Sequence, residues 1–106
     1  MAFAVVVEVD NSGEDPDEGR RRLREELAPA VRQLPGFRSL LFLTALERGL
    51  GYGVMVFDER AQAEQLAAGL VPGSQPREGV TFKRTEVLDV EVWSRRDNPR
   101  WEVTGL

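Results

Sequence analysis

Tyr52 is the single tyrosine of the chain and stands between Gly51 and Gly53 in the run LGYGVMVF. There its hydroxyl could orient or deprotonate a phenolic ligand, or it could be an amphipathic core residue with its tip in water. Glu8 stands next to last in the otherwise apolar AFAVVVEV, where burial would raise its pKa and make it a base and a solvated strand end would not. Tyr52 and Glu8 are therefore the candidates for catalysis. Arg38 and Arg84 could clamp an anionic group or pair with carboxylates on neighbouring strands. Trp93 could wall a cavity or form an edge or dimer contact. Arg38, Tyr52, Arg84 and Trp93 are the candidates for ligand binding. Asp89 and Glu91 share one strand parity, as a carboxylate pair or as charges that keep a long strand soluble.

Absent residue types remove whole classes of chemistry. The chain has no cysteine and no histidine, so disulfides, thiolate nucleophiles, imidazole bases and Cys/His metal sites are excluded. The acidic stretch 10–18, DNSGEDPDE, lacks the ligand spacing of a calcium loop. No metal and no cofactor are expected. A net charge of −4 over 106 residues argues against nucleic acid, which requires a basic field. An RNA-recognition variant of the topology described below is the weakest reading for the same reason. The apolar runs 2–7 and 40–43 are far shorter than the ~20 residues that span a bilayer. No basic segment precedes the first run, unlike a signal peptide, so the protein is expected to be cytoplasmic and not membrane-bound.

These residues need a frame to hold them. Valine-rich 2–9 reads as a strand. Asp15, Pro16 and Glu18 suit the N-cap, first and third positions of a helix over 16–34, with a capping box between Asp15 and Glu18. Leu23, Leu27, Ala30, Val31 and Leu34 form its apolar stripe. Arg20, Arg21, Arg24, Glu25 and Arg32 read as its solvated face, with Glu18–Arg22 and Arg22–Glu26 spaced as ion pairs. Pro29 has no amide to donate to the Glu25 carbonyl, so a kink or break is expected there. Strands follow at 37–46 and 50–57 around a tip at Glu47-Arg48-Gly49, with Gly51 and Gly53 marking a bulge or a close backbone approach. A second helix over 59–71, capped by Asp58, carries Ala63, Leu66, Ala67 and Leu70. A strand from Val80 to Trp93 closes the series, and its imperfect alternation implies a bulge or a polar cavity.

The order β-α-β-β-α-β is the α+β, ferredoxin-like arrangement: a four-stranded antiparallel sheet with two helices on one face. AFAVVV, LLFL and VMVF are apolar on both parities, yet two helices cover one side only. A homodimer, sheet against sheet, is the economical way to cover the other. One domain over 1–93 is expected, with 94–106 as a tail that could pack on a partner through Trp101 and Val103.

REELAPAVRQLPGF at 24–37, the strand LLFL, the hairpin ERGLGYGVMVFDER at 47–60 and the alanine-rich helix after it together resemble the antibiotic biosynthesis monooxygenase-like (ABM) domains of the dimeric α/β-barrel superfamily. The resemblance covers about residues 3–93. It implies a dimeric barrel with a small aromatic molecule in a cleft between sheet and helices. It also implies, as one branch, cofactor-independent oxygenation of phenols in which the substrate itself activates dioxygen. Another branch degrades haem, with an asparagine on the first strand and a tryptophan and a histidine on the second helix. AFAVVVEV and ERAQAEQLAAGLV contain none of these, so haem degradation is not implied here. The alternative function is a non-catalytic dimeric module that binds a metabolite or a protein.

Overall fold

The computed structural model describes residues 1–94, 96 and 102–103. Four strands, β1 (Phe3–Asp10), β2 (Phe37–Ala45), β3 (Leu50–Phe57) and β4 (Thr81–Asp89), form one sheet in the order β2-β3-β1-β4. Every neighbouring pair is antiparallel. With a helix after β1 and another after β3, the molecule is α+β, and the arrangement is compatible with a ferredoxin-like fold. Beyond β4 the chain adds a short pair, β5 (Val92–Trp93) and β6 (Glu102–Val103). Of the tail, Trp101 lies outside the described residues.

The first helix is continuous over 16–32 but not uniform. It begins as α1 (Pro16–Arg22), winds as a π-helix over Leu23–Leu27 and resumes as α2 (Ala28–Arg32). Asp15 caps it, its carboxylate accepting from the Glu18 amide at 3.0 Å. The Glu18 carboxylate is directed to Arg21, whose Nη2 donates at 2.7 Å, in place of the expected return bond to Asp15. The kink expected at Pro29 is a π-turn instead. The Ala28 amide donates to the Leu23 carbonyl, an i to i+5 link that widens the helix just before the proline. A regular α-turn would drive the pyrrolidine ring into the Glu25 carbonyl, and the wider turn relieves that clash.

The second helix, α3 (Arg60–Ala68), is capped by Glu59, not Asp58, through a reciprocal box with Gln62. It is rich in alanine and lies on β1, β3 and β4. Ala63 is fully buried there, which only a side chain this small allows at so close an approach. The core between helices and sheet holds Val5, Val7, Met55 and Phe57 with Val31 from α2 and Ala63 from α3. Phe37 meets Phe57 edge to face at 6.3 Å, a favoured aromatic geometry.

Two irregularities set which residues face the helices. Pairing skips Arg38 between Phe37 and Ser39, and skips Lys83 between Phe82 and Arg84. Each is a bulge that reverses the parity beyond it. This explains the broken alternation of β4: Phe82, Thr85 and Val87 lie on the helix side of the sheet, and Arg84, Glu86 and Leu88 on the other. Gly51 and Gly53, by contrast, sit in unbroken register with β1 and β2; they mark no bulge. β4 also ends at Asp89, short of Trp93. The Val90 amide then donates to the Ala2 carbonyl at 3.0 Å, and Val90 packs on a small second cluster of Ala2, Ala4 and Val56 on the helix-free face.

Candidate functional site

Strand register sorts the candidate residues into two groups. Glu8 pairs with Tyr52 on one side and Arg84 on the other, and Tyr52 pairs in turn with Leu43. Since Val5 and Val7 face the helices, alternation points the Glu8 row the other way. Glu8, Tyr52 and Arg84 therefore converge, but on the helix-free face and not toward the helices. Arg84 also reaches Glu86 at 3.2 Å. Arg38 and Trp93 form the second group. The Arg38 guanidinium lies 4.9 Å from the centre of the Trp93 ring and 3.5 Å from the Asp58 carboxylate. Asp89 pairs with Arg60 across to α3, so it is not half of a carboxylate pair with Glu91.

The space between sheet and helices is built by other residues. On β3, Gly51 and Gly53 alternate with Tyr52 and offer the helix side no side chain. A β-carbon at Gly53 would lie 3.0 Å from Val7 and 3.4 Å from Met55 and Phe42, so the glycine lowers the floor where its neighbours crowd. The first helix supplies the roof. α2 packs on β2 and buries Val31, whereas the apolar stripe upstream stays apart from the sheet and leaves Leu27 44% exposed. A cleft of about 430 Å³ results, a size typical of small-molecule sites.

Its walls are divided. Val7, Val31, Phe42, Met55, Leu66 and Leu70 make an apolar end. Asn11, Glu14, Arg22, Thr44 and Arg77 line the rest, with Glu26 on the π-segment. Asn11, Glu14 and Thr44 also border a smaller chamber of about 100 Å³, so these three stand together at one end. The loops after β1 and before β4 assemble this end. Gly13 packs so close to Gly79 that a β-carbon on it would stand 2.9 Å from the Gly79 Cα, and Gly79 itself has φ of 84°, a conformation natural to glycine. That contact brings Glu14 and Arg77 together as an ion pair. Tyr52 and Leu43 border the cleft from their strands, although register points their side chains to the far face.

Charge along the first helix is organised around Arg21, which pairs with Glu18, Glu25 and Glu26 at 2.7, 2.9 and 2.8 Å. The last is an i, i+5 contact, brought within reach by the π-winding. Glu18 is held below the usual carboxylate range, chiefly by its hydrogen bond from Arg21, and Asp10 likewise by the Ser12 hydroxyl and amide. Arg21 is pushed further above its already high value by the same carboxylates, Glu18 first. Arg22 meets Glu26 at 3.3 Å and Glu18 at 3.5 Å. Two guanidinium nitrogens in the cleft residues, Arg22 Nε and Arg77 Nη1, are buried without an acceptor among the described residues.

Chemically, this is a pocket for an apolar body with a polar terminus, bordered by two carboxylates. Among the described residues no three acidic side chains gather as metal ligands, and no helix is long and apolar enough to cross a membrane. Sequence reasoning missed Glu14, Arg22 and Arg77 as cleft residues. Glu14 reads as part of an acidic capping stretch, Arg22 as an ion-pair partner of Glu18 and Glu26, and Arg77 lies in a loop with no periodicity. The one local signal was Pro29, whose π-turn carries Leu23, Glu26 and Leu27 over the cleft. No protein-family model matches the chain and no curated protein matches it.

Proposed function

We propose that the chain is a small-molecule-binding protein of the ABM-like kind, taking a small planar aromatic molecule in the cleft between sheet and helices and working as a homodimer. The observation that carries the reading is the cleft itself: about 430 Å³ with a mainly apolar lining, open through the gap beneath the first helix. The pairing reading is supported by the helix-free face. Leu41, Leu43 and Leu88 there are 58, 49 and 46% exposed, flanking the row of Glu8, Tyr52 and Arg84. Completing the burial of each leucine against a second copy is worth about 1 kcal/mol, half the value of a full leucine. Tyr52 would then lie at the interface, with Glu8 and Arg84 able to pair across it.

The cofactor-independent monooxygenase reading uses the same cleft and is favoured by the carboxylates of Glu14 and Glu26 in its wall. In it a carboxylate takes a proton from a phenolic substrate, which delivers electrons to dioxygen. An activated ring CH2 becomes C=O, and the second oxygen atom leaves as water.

Thermal-shift and calorimetric titrations with planar phenols and aromatic ketones test the binding. Saturable stabilisation is expected, and Leu27→Trp, which fills the mouth of the cleft, should weaken it at least tenfold. The absence of any saturable shift would refute the cleft as a binding site. Oxygen uptake with the bound phenols separates the enzyme from the module. Light scattering should give twice the protomer mass, falling to one for the double variant Leu41→Lys, Leu43→Lys; a monomeric wild type at micromolar concentration would refute the dimer.

A further inference from the structure

We infer that the cleft selects ligands carrying an uncharged carbonyl oxygen at one end of an apolar body, and that Arg22 and Arg77 are the side chains that recognise it. The inference rests on the cleft being the binding site proposed above. Arg22 Nε and Arg77 Nη1 are buried with no acceptor among the described residues, and both residues line the cleft. The two terminal nitrogens of Arg22 are engaged with Glu18 and Glu26, and Arg77 Nη2 with Glu14. A guanidinium keeps its protons at any working pH, so each unpaired N–H is a permanent donor. Burying such a donor without an acceptor is costly, and a ligand oxygen removes that cost.

Charge decides which oxygen. Glu14 and Glu26 stand beside the two arginines in the same wall, so the cleft is already balanced. A carboxylate would add an unpaired negative charge next to both acids. A ketone, ester or amide carbonyl supplies the acceptor without the charge. The apolar end of the cleft, with Val31, Met55 and Leu66, requires the other end of the ligand to be apolar.

Three probes of one shape test this: an acetylnaphthalene, the isopropenylnaphthalene in which CH2 replaces the oxygen, and naphthoate. Affinities are measured by calorimetry on the full chain. The ketone is expected to bind about tenfold or more tighter than the alkene, as for a hydrogen bond to a charged donor, and tighter than naphthoate. Arg22→Lys replaces Nε by a methylene and keeps a positive charge for Glu18 and Glu26. It should cut the preference for ketone over alkene several-fold, with a melting curve confirming the fold. Equal binding of ketone and alkene, or tightest binding of naphthoate, overturns the inference while the cleft remains a binding site. A preference intact in both Arg22→Lys and Arg77→Lys removes the arginines from recognition. Binding of none of the three overturns the inference and the cleft reading together.

Discussion

Pro29→Ala returns an amide to the first helix and takes away the ring that the π-turn accommodates. The turn is closed by the Ala28 amide on the Leu23 carbonyl, and nothing in its five residues, Leu23–Leu27, otherwise disfavours α-winding. Proline in a helix interior is about 3 kcal/mol worse than alanine. The looser unfolded chain of the variant takes back up to about 1 kcal/mol. Pro29→Ala should therefore stabilise the protein by about 2 kcal/mol, moving the urea midpoint up by about 1 M at a typical slope. The functional consequence runs the other way. Rewinding to α removes one residue from the turn and rotates everything upstream by about 100° relative to α2. Leu23 and Arg22 would then swing off the cleft, and aromatic ligands should bind at least tenfold more weakly. The assay is urea denaturation followed by circular dichroism, paired with calorimetry on the same samples. A variant destabilised by more than about 1 kcal/mol, a loss where proline-to-alanine replacement should bring a gain, would refute the claim that the proline imposes the π-turn. Unchanged affinity in a stabilised variant would refute the claim that the turn positions the wall.

Acid should weaken the first helix. The Glu18 carboxyl is held below its ordinary 4.5 by its hydrogen bond from Arg21, so its contribution is present above the unfolded value and lost as pH falls through the lower folded one. Melting temperature should drop between about pH 6 and about pH 3, and less so in Glu18→Gln; equal acid sensitivity of the two proteins would count against this. Ala63→Leu should cost about 1–3 kcal/mol in chemical denaturation, because Ala63 is fully buried where α3 meets the sheet. A neutral result would mean that α3 can lift from β1 and β3 without penalty.

Much of the frame was legible because it depends on local chemistry. The strand run AFAVVVEV, the Asp15-Pro16 start of the first helix and the β2–β3 hairpin each carry their own signal in consecutive residues, and each lies where expected within a residue or two. The reading of β4 was ambiguous for a physical reason. A bulge at Lys83 reverses parity, and alternation alone cannot distinguish a bulge from a polar cavity. The cap of α3 was misplaced by one residue because Asp58 and Glu59 both carry an oxygen for the role; the Glu59–Gln62 box decided it. The site was the least legible part. Tyr52, Glu8 and Arg84 stand out as residue types, but the face they share follows from pairing, and it is the face away from the helices.

By itself the sequence determined the order of elements, the absence of thiol and imidazole chemistry, and an excess of apolar strand surface over what two helices can cover. These follow from residue type and from periods of two and 3.6, which neighbours along the chain express without help. Only the tertiary structure decided which strand parity meets the helices, that two glycines and a π-turn hold open a cleft, and that Glu14, Arg22 and Arg77 border it. Those depend on register and on contacts between distant loops, such as Gly13 on Gly79, for which no local pattern exists.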